Sequence, residues 1–347
     1  MKLSSLLTAA AIAYASLHCA AAPDFAKGAD LSWTTELESR GYRWRNAAGV
    51  EMECFALMKS IGFNAVRLRV WVEPDGGRNS GGDLLEKARR AAKLQLPVMI
   101  DFHYSGTWAD PGKQFKPDAW RELGRDALAK AVGMHTESTL EAVKSTGADI
   151  AWVQIGNETR PGLLWDADAS KSGALRDVDR DGRRLAAKNA ENFALFLNAG
   201  AGAVRKACAN AKIIVHCDHG HKWGDLEGML EAARGVDYDI FGVSLYPAGD
   251  WRAQIRDCAA NLERIREECG KDTMVCEFGM PTHPLDAAHD ATEALLRTMR
   301  RTHGCRGVFY WEPEAFPQLG YKMGASTLDG KTATPSPALA PFAAGGE

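Results

Sequence analysis

The stretch that decides the fold is Ala151–Trp165, which reads AWVQIGNETRPGLLW. A short apolar run, Ile150–Ile155, ends abruptly in Gly156-Asn157-Glu158, as a buried parallel strand does where its chain turns polar. The residue that follows such a strand can point into a cleft, so an amide next to a carboxylate suits acid–base chemistry. A strand cap, in which both side chains bond only to local backbone, is the alternative interpretation.

Strand-like and helical stretches alternate along the rest of the chain. The eight predicted strands are Gly28–Trp33, Ala65–Trp71, Pro97–His103, Ile150–Glu158, Lys212–Asp218, Asp239–Tyr246, Thr273–Phe278 and Gly307–Trp311. This alternation predicts the α/β class and a single-domain (β/α)8 TIM barrel over residues 22–347, with Pro335–Glu347 as a short cap or loose tail. A doubly wound open sheet is the alternative, but the Gly-rich phosphate turn expected after an early strand is missing from the sequence.

Residues 1–21 are predicted to be a secretory signal peptide. Lys2 precedes the apolar stretch Leu6–Leu17, which is followed by small residues. This stretch is too short to span a membrane as a mature helix, and no later apolar run is long enough. We therefore expect a protein that is secreted or periplasmic after cleavage. Lipid attachment at Cys19 is the alternative, although Ser16-Leu17-His18 fits a lipoprotein signal poorly.

Composition excludes several classes of protein. The chain has 42 Lys and Arg against 45 Asp and Glu, so a net charge of −3 offers no basic surface for nucleic acid. Eight cysteines become seven after signal cleavage, and none of them forms a CxxC pair. We expect mostly buried free thiols rather than a disulfide framework or a zinc ribbon.

Polar side chains stand at the ends of most predicted strands, where a barrel carries its chemistry. Alternation places three pairs on one strand face each: Arg67 with Arg69, Asp101 with His103, and His216 with Asp218. Charges that face a barrel interior need partners, and the carboxylates most in need of them are Glu158 and Glu277. A purely structural ring of ion pairs is the alternative.

Tryptophans concentrate in the same places. Seven of the ten fall at strand ends or in the following loops: Trp33, Trp71, Trp108, Trp165, Trp223, Trp251 and Trp311. A rim of flat amphipathic rings suits a ligand with apolar faces and polar edges, as a sugar chain has. Ordinary packing of loops on the barrel top is the alternative for some of them.

Together these stretches resemble glycoside hydrolase family 53, the endo-β-1,4-galactanases, within a large clan of retaining barrel glycosidases. The resemblance covers nearly the whole mature chain. Its motifs are RLRVWV at Arg67–Val72, DFHYSGTWADPGKQ at Asp101–Gln114, IGNETRPGLLW at Ile155–Trp165, GVSLYP at Gly242–Pro247 and FYWEP at Phe309–Pro313. Asn157-Glu158 and Glu277 alone are typical of the wider clan.

The resemblance implies roles that the residues by themselves do not assign. Glu158 would be the general acid/base and Glu277 the nucleophile. Asn157 would hold the substrate 2-hydroxyl, and Arg69 and Tyr246 would keep the nucleophile ionised. His103 would line the site, and the Trp311 ring would form the floor of the sugar-binding subsite. Further candidate substrate-binding residues are Trp71, Trp108, Trp165 and Asp218.

The chain departs from the family pattern at three places. Gly106 stands where the family usually has aspartate, and Phe278-Gly279-Met280 replaces the threonine and tryptophan that usually follow the nucleophile. After strand five, His216–Gly224 reads HCDHGHKWG instead of an HLDNGWDWG-like run. These changes spare the two glutamates but alter the surrounding walls, so they bear on the choice of glycan more than on glycoside hydrolysis.

The predicted function is that of a secreted, endo-acting retaining hydrolase that cleaves β-1,4-galactosidic bonds in the (arabino)galactan of pectin. Two alternatives stay open: a related barrel enzyme acting on mannan, glucan or xylan, and a non-catalytic sugar-binding barrel that would have lost a carboxylate. We expect a polysaccharide as the partner, no nucleic acid, no transmembrane segment and a monomer.

No cofactor or metal is expected. Asp177–Gly182 reads DVDRDG, like the start of a calcium loop, but Lys188 stands where the bidentate acidic ligand belongs. A structural calcium ion is therefore the alternative to a solvated loop. His216, His219 and His221 have nitrogen enough for zinc, yet neighbouring loop histidines of this kind more often contact substrate.

Overall fold

The computed structural model of this chain describes residues 23–166, 190–282 and 284–343. These ranges contain the strands β1 (Ala26–Asp30), β2 (Arg43–Arg45), β3 (Glu51–Met52), β4 (Ala65–Val70), β5 (Val98–Phe102), β6 (Ile150–Ile155), β7 (Lys212–Cys217), β8 (Ile240–Leu245), β9 (Asp272–Phe278), β10 (Cys305–Trp311), β11 (Ser326–Asp329) and β12 (Thr332–Pro335). They also contain the helices α1 (Thr34–Ser39), α2 (Cys54–Ile61), α3 (Gly81–Lys93), α4 (Arg125–Lys144), α5 (Ala190–Ala207), α6 (Trp223–Ala232), α7 (Trp251–Cys269) and α8 (Leu285–Arg301).

Eight of these strands close into a parallel barrel in the order β1-β10-β9-β8-β7-β6-β5-β4. Each of the eight predicted strands overlaps one of them, so the (β/α)8 barrel is confirmed. Barrel strands are covered on both faces and therefore appear in sequence as continuous apolar runs. In the observed register, Asp101 pairs with Arg69 on one side and with Gln154 on the other, which places polar side chains at one level of the barrel.

The barrel interior changes from apolar to polar along its axis. One apolar layer consists of Ala26, Ala65, Met99, Ala151, Trp152, Ile214, Ile240, Met274, Cys276 and Phe309. Gly28 is needed beside this layer, since a Cβ there would lie 2.0 Å from the Phe309 ring. Asp30, Arg67 and Asp101 are fully buried at the next level. The fold thus directs its charges toward the C-terminal rim, where barrel enzymes carry their sites.

A second sheet, of order β11-β12-β2-β3, accompanies the barrel. The sequence pattern does not predict it, because strands of two to four residues are too short to show a hydrophobic period. Trp44 of β2 is buried, and its indole N–H donates to the Glu314 carbonyl at 3.1 Å. This bond ties the small sheet to the loop that follows β10.

The C-terminal segment is a cap and not a loose tail, as far as residue 343. Pro337–Phe342 forms a 3-10 helix, and the Phe342 ring stacks on Phe63 at 4.1 Å. The ammonium group of Lys27 donates to the Phe342 carbonyl at 2.6 Å. These contacts join the C-terminus to β1 and to the end of α2.

The thiol prediction is confirmed for the part of the chain that the structure describes. Its seven cysteines are all free, and five of them are buried: Cys54, Cys217, Cys258, Cys276 and Cys305. Within the same residues, the structure contains no helix with the length and apolarity to cross a membrane. The predicted signal peptide with Cys19, and the calcium-like stretch Asp177–Gly182, lie outside the described residues.

Candidate active site

The C-terminal ends of the barrel strands surround a pocket of ≈ 390 Å³. It is lined by Trp33, His103, Trp108, Ala109, Asp110, Lys113, Asn157, Glu158, Tyr246, Glu277, Trp311, Tyr321 and Met323. Both predicted catalytic glutamates are in this set, Glu158 following β6 and Glu277 on β9. The pocket therefore brings two carboxyl groups from distant parts of the sequence to one space.

Glu158 enters the pocket through a left-handed turn of the backbone. After β6, Gly156 has φ 95° and Glu158 has φ 47°. A Cβ at Gly156 would lie 2.5 Å from the Thr159 methyl group, so this position requires glycine. A glutamate in the left-handed region costs on the order of 1–3 kcal/mol, and such strain concentrates at functional sites. The side chain is thus directed into the pocket, which rules out the strand-cap interpretation.

Hydrogen bonds from Ser244 and His216 fix the side chain and the backbone of Glu158. Oε1 of Glu158 accepts a hydrogen bond from Ser244 Oγ at 2.6 Å, and Ser244 Oγ lies 3.0 Å from Nε2 of His216. The backbone N–H of Glu158 donates to Nδ1 of the same histidine at 3.2 Å. His216 and Ser244 are fully buried, so these contacts are shielded from solvent.

Glu277 is held by a cation and a phenol. Nη2 of Arg67 lies 2.8 Å from Oε1 of Glu277, and Tyr246 Oη donates to Oε2 at 2.8 Å. Tyr321 lies behind Tyr246, and a Cβ at Gly279 would be 2.8 Å from the Tyr321 oxygen. Glycine at position 279, where the chain departs from the family pattern, thus makes room for the second tyrosine.

The cation beside Glu277 is Arg67 and not Arg69, which corrects the role predicted for Arg69. Both arginines project from the same face of β4, but residues two apart on a strand are separated by about 7 Å along it. Of the two, Arg67 is the one within ion-pair distance of Glu277. Arg69 pairs with Glu312 at 2.5 Å, and its guanidinium carbon lies 4.2 Å from the centroid of the Trp108 ring.

Arg67 organises the polar level of the barrel. Its guanidinium lies 2.6 Å from Asp30 Oδ2 and 2.9 Å from Asp101 Oδ2, and it donates to Asn157 Oδ1 at 2.8 Å. A buried cation is tolerated when it is surrounded by carboxylates and hydrogen-bond acceptors in this way. The ring of ion pairs considered from the sequence does exist, and it includes Glu277 but leaves Glu158 outside.

The two environments separate the pKa values of the glutamates. Burial raises the pKa of Glu158 well above its usual value, and the carboxylates of Glu277 and Asp218 raise it further. Burial also raises the pKa of Glu277, but there the charge of Arg67 and the hydrogen bond from Tyr246 oppose the rise. Glu158 therefore holds its proton to higher pH than Glu277, as an acid beside an ionised nucleophile must.

Aromatic rings form the apolar wall of the pocket. The Trp311 ring centroid lies 5.5 Å from that of Trp33, 5.7 Å from that of Trp108 and 4.7 Å from that of Tyr321. All four residues are partly exposed. Rings with apolar faces and polar edges are suited to the two kinds of surface that a sugar presents.

His103 and Asn157 are fixed at the pocket edge. Nε2 of His103 lies 3.0 Å from Asp101 Oδ2, while its Nδ1 accepts from the backbone N–H of Ala109 at 3.0 Å. The amide nitrogen of Asn157 donates to the Ala109 carbonyl at 2.9 Å, and its oxygen accepts from Arg67. Both side chains are therefore oriented before any ligand binds.

Residues 26–304 match the model of glycosyl hydrolase family 53. The chain belongs to this family. It is 29% identical over 330 residues to an endo-beta-1,4-galactanase of Bacillus subtilis, covering 85% of this chain and 71% of that protein. A solved structure of fungal beta-1,4-galactanases superposes with a TM-score of 0.77 at 27% identity, covering 91% of this chain and 98% of the other. The catalytic domain of the family 53 protein of Ignisphaera aggregans gives 0.75 at 26% identity, covering 92% and 95%.

As a family 53 member the chain is a glycoside hydrolase. Both carboxylates that a retaining member of this clan would need are present and share the pocket. The non-catalytic alternative required the loss of one of them, and the structure removes that premise.

Two residues predicted to bind substrate lie away from the family 53 pocket. Trp165 is buried, with its indole N–H donating to the Pro161 carbonyl at 3.2 Å. Asp218 is also buried, and its two oxygens accept from Arg160 at 2.6 and 2.8 Å. The sequence predicted them because each follows or ends a barrel strand, but a neighbouring loop covers both. The charge of Asp218 still acts on the site, since it raises the pKa of Glu158.

Trp71 lines a neighbouring pocket of ≈ 400 Å³ and not the catalytic one. The lining residues of this side pocket are Trp33, Glu36, Leu37, Arg40, Trp71, Asp75, Arg78, Gly106, Thr107, Trp108 and Leu319. Trp33 and Trp108 line both pockets, which therefore adjoin. A Cβ at Gly106 would be 3.4 Å from the Val72 carbonyl oxygen, and the backbone has no left-handed φ there. The fold does not require glycine at this position, so its absent side chain adds room.

Trp223 and Trp251, the remaining members of the predicted rim, begin the outer helices α6 and α7. The Trp223 ring is covered by the Arg264 guanidinium at 3.7 Å, and the Trp251 ring by that of Arg252 at 4.0 Å. The sugar-binding interpretation therefore stays a prediction for the tryptophans of the two pockets, whereas an arginine already covers the rings of Trp223 and Trp251.

Four residues that hold the two glutamates, directly or through a neighbour, were missing from the predicted catalytic and substrate-binding set. Arg67, His216 and Ser244 are visible in sequence as polar residues at strand ends, and only tertiary contacts single them out. Tyr321 has no such signal, since it stands in a loop between a 3-10 turn and a short strand. No pattern in the sequence places its oxygen behind Tyr246.

His219, one of the histidines considered as zinc ligands, contacts carboxylates in the structure. Among the described residues, no group of three or more His, Cys, Asp and Glu side chains is arranged to hold a metal ion. Nδ1 of His219 lies 2.9 Å from Asp225 Oδ2 and 3.1 Å from Asp218 Oδ2, so its polar contacts are with carboxylates.

Proposed function

We propose that the protein is a retaining endo-β-1,4-galactanase that cleaves the galactan chains of pectin. The observation that carries the proposal is a shared pocket in which Arg67 and Tyr246 oppose protonation of Glu277, while the carboxylates of Glu277 and Asp218 raise the pKa of Glu158. The names of the relatives support galactan as the substrate, and the ring wall of the pocket supports a sugar ligand.

In the first step, Glu277 attacks the anomeric carbon while Glu158 donates its proton to the departing glycosidic oxygen. The bond from carbon to the leaving oxygen breaks as the bond to Glu277 forms, and Arg67 and Tyr246 stay on the nucleophile throughout. Asn157, oriented by Arg67 and Ala109, holds the 2-hydroxyl of the reacting sugar.

In the second step, the ionised Glu158 takes a proton from water, and the resulting oxygen nucleophile displaces Glu277. Glu158 regains its proton, and Arg67 stabilises the carboxylate that leaves. Two inversions at one carbon retain the β configuration. This mechanism requires the two carboxyl groups to lie about 5–5.5 Å apart.

The proposed place of action is outside the cytoplasm. Residues 1–21 carry the pattern of a signal peptide, and a long polysaccharide does not diffuse through a lipid bilayer, which supports action outside the cytoplasm. We propose that the exported enzyme is a monomer whose single barrel contains the whole site.

The test is to incubate the purified protein with β-1,4-galactan, mannan, cellulose and xylan, and to size the products. Short galacto-oligosaccharides from galactan alone are expected, with β-configured reducing ends in early NMR spectra. Clear turnover of another glycan with none of galactan would overturn the substrate proposal, and an initial α product would overturn retention. Glu277→Gln is the matched inactive control.

A further inference from the structure

We propose that Ser244 and His216 are positioning residues that confine the transferable proton of Glu158 to one carboxyl oxygen, Oε2. The inference deepens the proposed function, since it rests on Glu158 as the acid. It follows from the direction of each hydrogen bond in the chain from His216 to Glu158.

The proton of His216 is on Nε2. The backbone N–H of Glu158 points at Nδ1 over 3.2 Å, and an N–H can only donate. The Gln154 amide nitrogen also lies 3.1 Å from Nδ1. Asn157 Oδ1 is 3.0 Å away, but it already accepts from Arg67 at 2.8 Å and from the Gln154 amide nitrogen at 3.0 Å. Burial and the charge of Arg67 lower the pKa of His216 well below its usual value, so the ring carries a single proton.

That proton sets the direction of the serine. Nε2–H of His216 donates to Ser244 Oγ at 3.0 Å, which leaves the hydroxyl hydrogen free to donate to Glu158 Oε1 at 2.6 Å. Among the described residues, Glu158 is the acceptor that the structure assigns to this hydroxyl. The oxygen of a carboxyl group that carries the proton is a weaker acceptor than the other oxygen, so the hydrogen bond from Ser244 disfavours a proton on Oε1. The transferable proton is therefore placed on Oε2.

The hydrogen bonds that run from His216 through Ser244 to Glu158 also limit how far the pKa of Glu158 rises. Among the described residues, the charged groups with the largest effect on Glu158 are Glu277, Asp218 and Asp110, and all three raise its pKa beyond the effect of burial. The hydrogen bond from Ser244 works in the opposite direction, because it stabilises the ionised form. An acid that must release a proton near neutral pH needs such an opposing contact.

The test is a carboxyl ¹³C NMR titration of Glu158 in the full chain, with the signal assigned by Glu158→Gln. Ser244→Ala should raise the midpoint by about one pH unit, since a hydrogen bond to the charged form is lost. Ser244→Thr, which keeps the hydroxyl, should return the midpoint toward that of the wild type. Ser326→Ala is the matched control, because that serine is also buried and donates to the Pro313 carbonyl instead.

His216→Leu tests the second link. It should raise the midpoint more in the wild-type background than in the Ser244→Ala background, because histidine acts on the carboxyl through the serine. The lost partner of the Glu158 N–H is common to both backgrounds and cancels in this cycle. The Ser244 variants test the proposal even if His216→Leu does not fold.

An unchanged midpoint in folded Ser244→Ala would overturn the proposal, as would equal shifts by His216→Leu in both backgrounds. The titration needs no substrate, so it can fail or succeed whether or not galactan is hydrolysed. Where galactan is cleaved, the alkaline limb of kcat/KM should move with the NMR midpoint, because this limb reports the acid of the free enzyme.

Discussion

Arg67 donates from Nη2 to Oε1 of Glu277 across 2.8 Å, in a part of the barrel where Arg67 is fully buried. The guanidinium lies level with Asp30 and Asp101, so one cation holds three carboxylates at defined positions. A planar guanidinium with five donors can do this, whereas an ammonium on a flexible stem cannot. Glu277, the proposed nucleophile, therefore takes its charge and its orientation from the barrel itself.

Replacing Arg67 should impair Glu277, the proposed nucleophile, and the pH profile of activity should show the change. Arg67→Lys should lower kcat on galactan by about 10²-fold, because the shorter point charge cannot serve all three carboxylates. It should also move the acidic limb of kcat/KM to higher pH, since Glu277 protonates more readily without its partner. Arg45→Lys, in the exposed ion pair with Asp329, is the control. A fall in kcat with an unmoved acidic limb would contradict this account.

Removal of the acid should spare activated substrates. An aryl galactoside with a good leaving group needs little protonation to depart, so Glu158→Ala should form the covalent intermediate from it quickly while losing most activity on galactan. Added azide should restore turnover with a β-configured product, because a small anion replaces the missing base. Burst kinetics and NMR of the azide product provide the measurement.

Removal of the nucleophile should behave differently. Glu277→Ala should form no intermediate from either substrate, because no group remains to attack the anomeric carbon. Any azide rescue should give an α-configured product, which chromatography and NMR distinguish from the β form. If the two variants respond alike, or if their product configurations are exchanged, the assignment of roles to Glu158 and Glu277 is wrong.

Because the carboxyl group of Glu312 is buried, we expect the free energy of unfolding to depend on pH. Burial raises its pKa to about 7 despite the ion pair with Arg69. The folded state thus binds this proton more tightly than the unfolded state, so the free energy of unfolding should fall as pH rises from about 4.5 through 7. The pKa difference corresponds to about 3 kcal/mol.

Urea unfolding of the wild type and of Glu312→Gln at pH 5 and pH 8 measures this contribution. The loss of stability between the two pH values should be smaller in the variant, because a glutamine does not titrate. Glu267→Gln, on the exposed surface of α7, is the control and should keep the wild-type dependence. An identical slope in Glu312→Gln would refute the prediction.

The side pocket beside the catalytic one should affect how the enzyme responds to chain length. Gly106→Leu fills space that the fold leaves open. We expect kcat/KM to fall about tenfold for long galacto-oligosaccharides, because a methylene-sized obstruction costs about 1–3 kcal/mol, while the shortest substrates are unaffected. Gly106→Ala is the matched control with little added volume. An equal loss on every chain length would mean that the substitution disturbs the catalytic pocket instead.

Much of the fold could be predicted from local patterns. The eight barrel strands are apolar runs because both of their faces are buried, and the residues that follow them turn polar where they meet the rim. The small sheet could not be predicted, since its strands are too short for a period and pair segments nearly 300 residues apart, as Arg43 with Thr332 shows. Its stability comes from long-range contacts such as that of Trp44 with Glu314.

Within the site, the sequence by itself determined which strands end in carboxylates and which face of each strand a residue occupies, because the period of a strand is two. The sequence did not determine how far along the barrel axis each side chain lies, or which side chains a neighbouring loop buries. Tertiary structure alone decided that Arg67 forms an ion pair with Glu277, while the Arg69 guanidinium lies over the Trp108 ring. It also decided that Asp218 accepts a hydrogen bond from Arg160. The physical reason is that burial and ion pairing depend on distances between strands, which local periodicity does not encode.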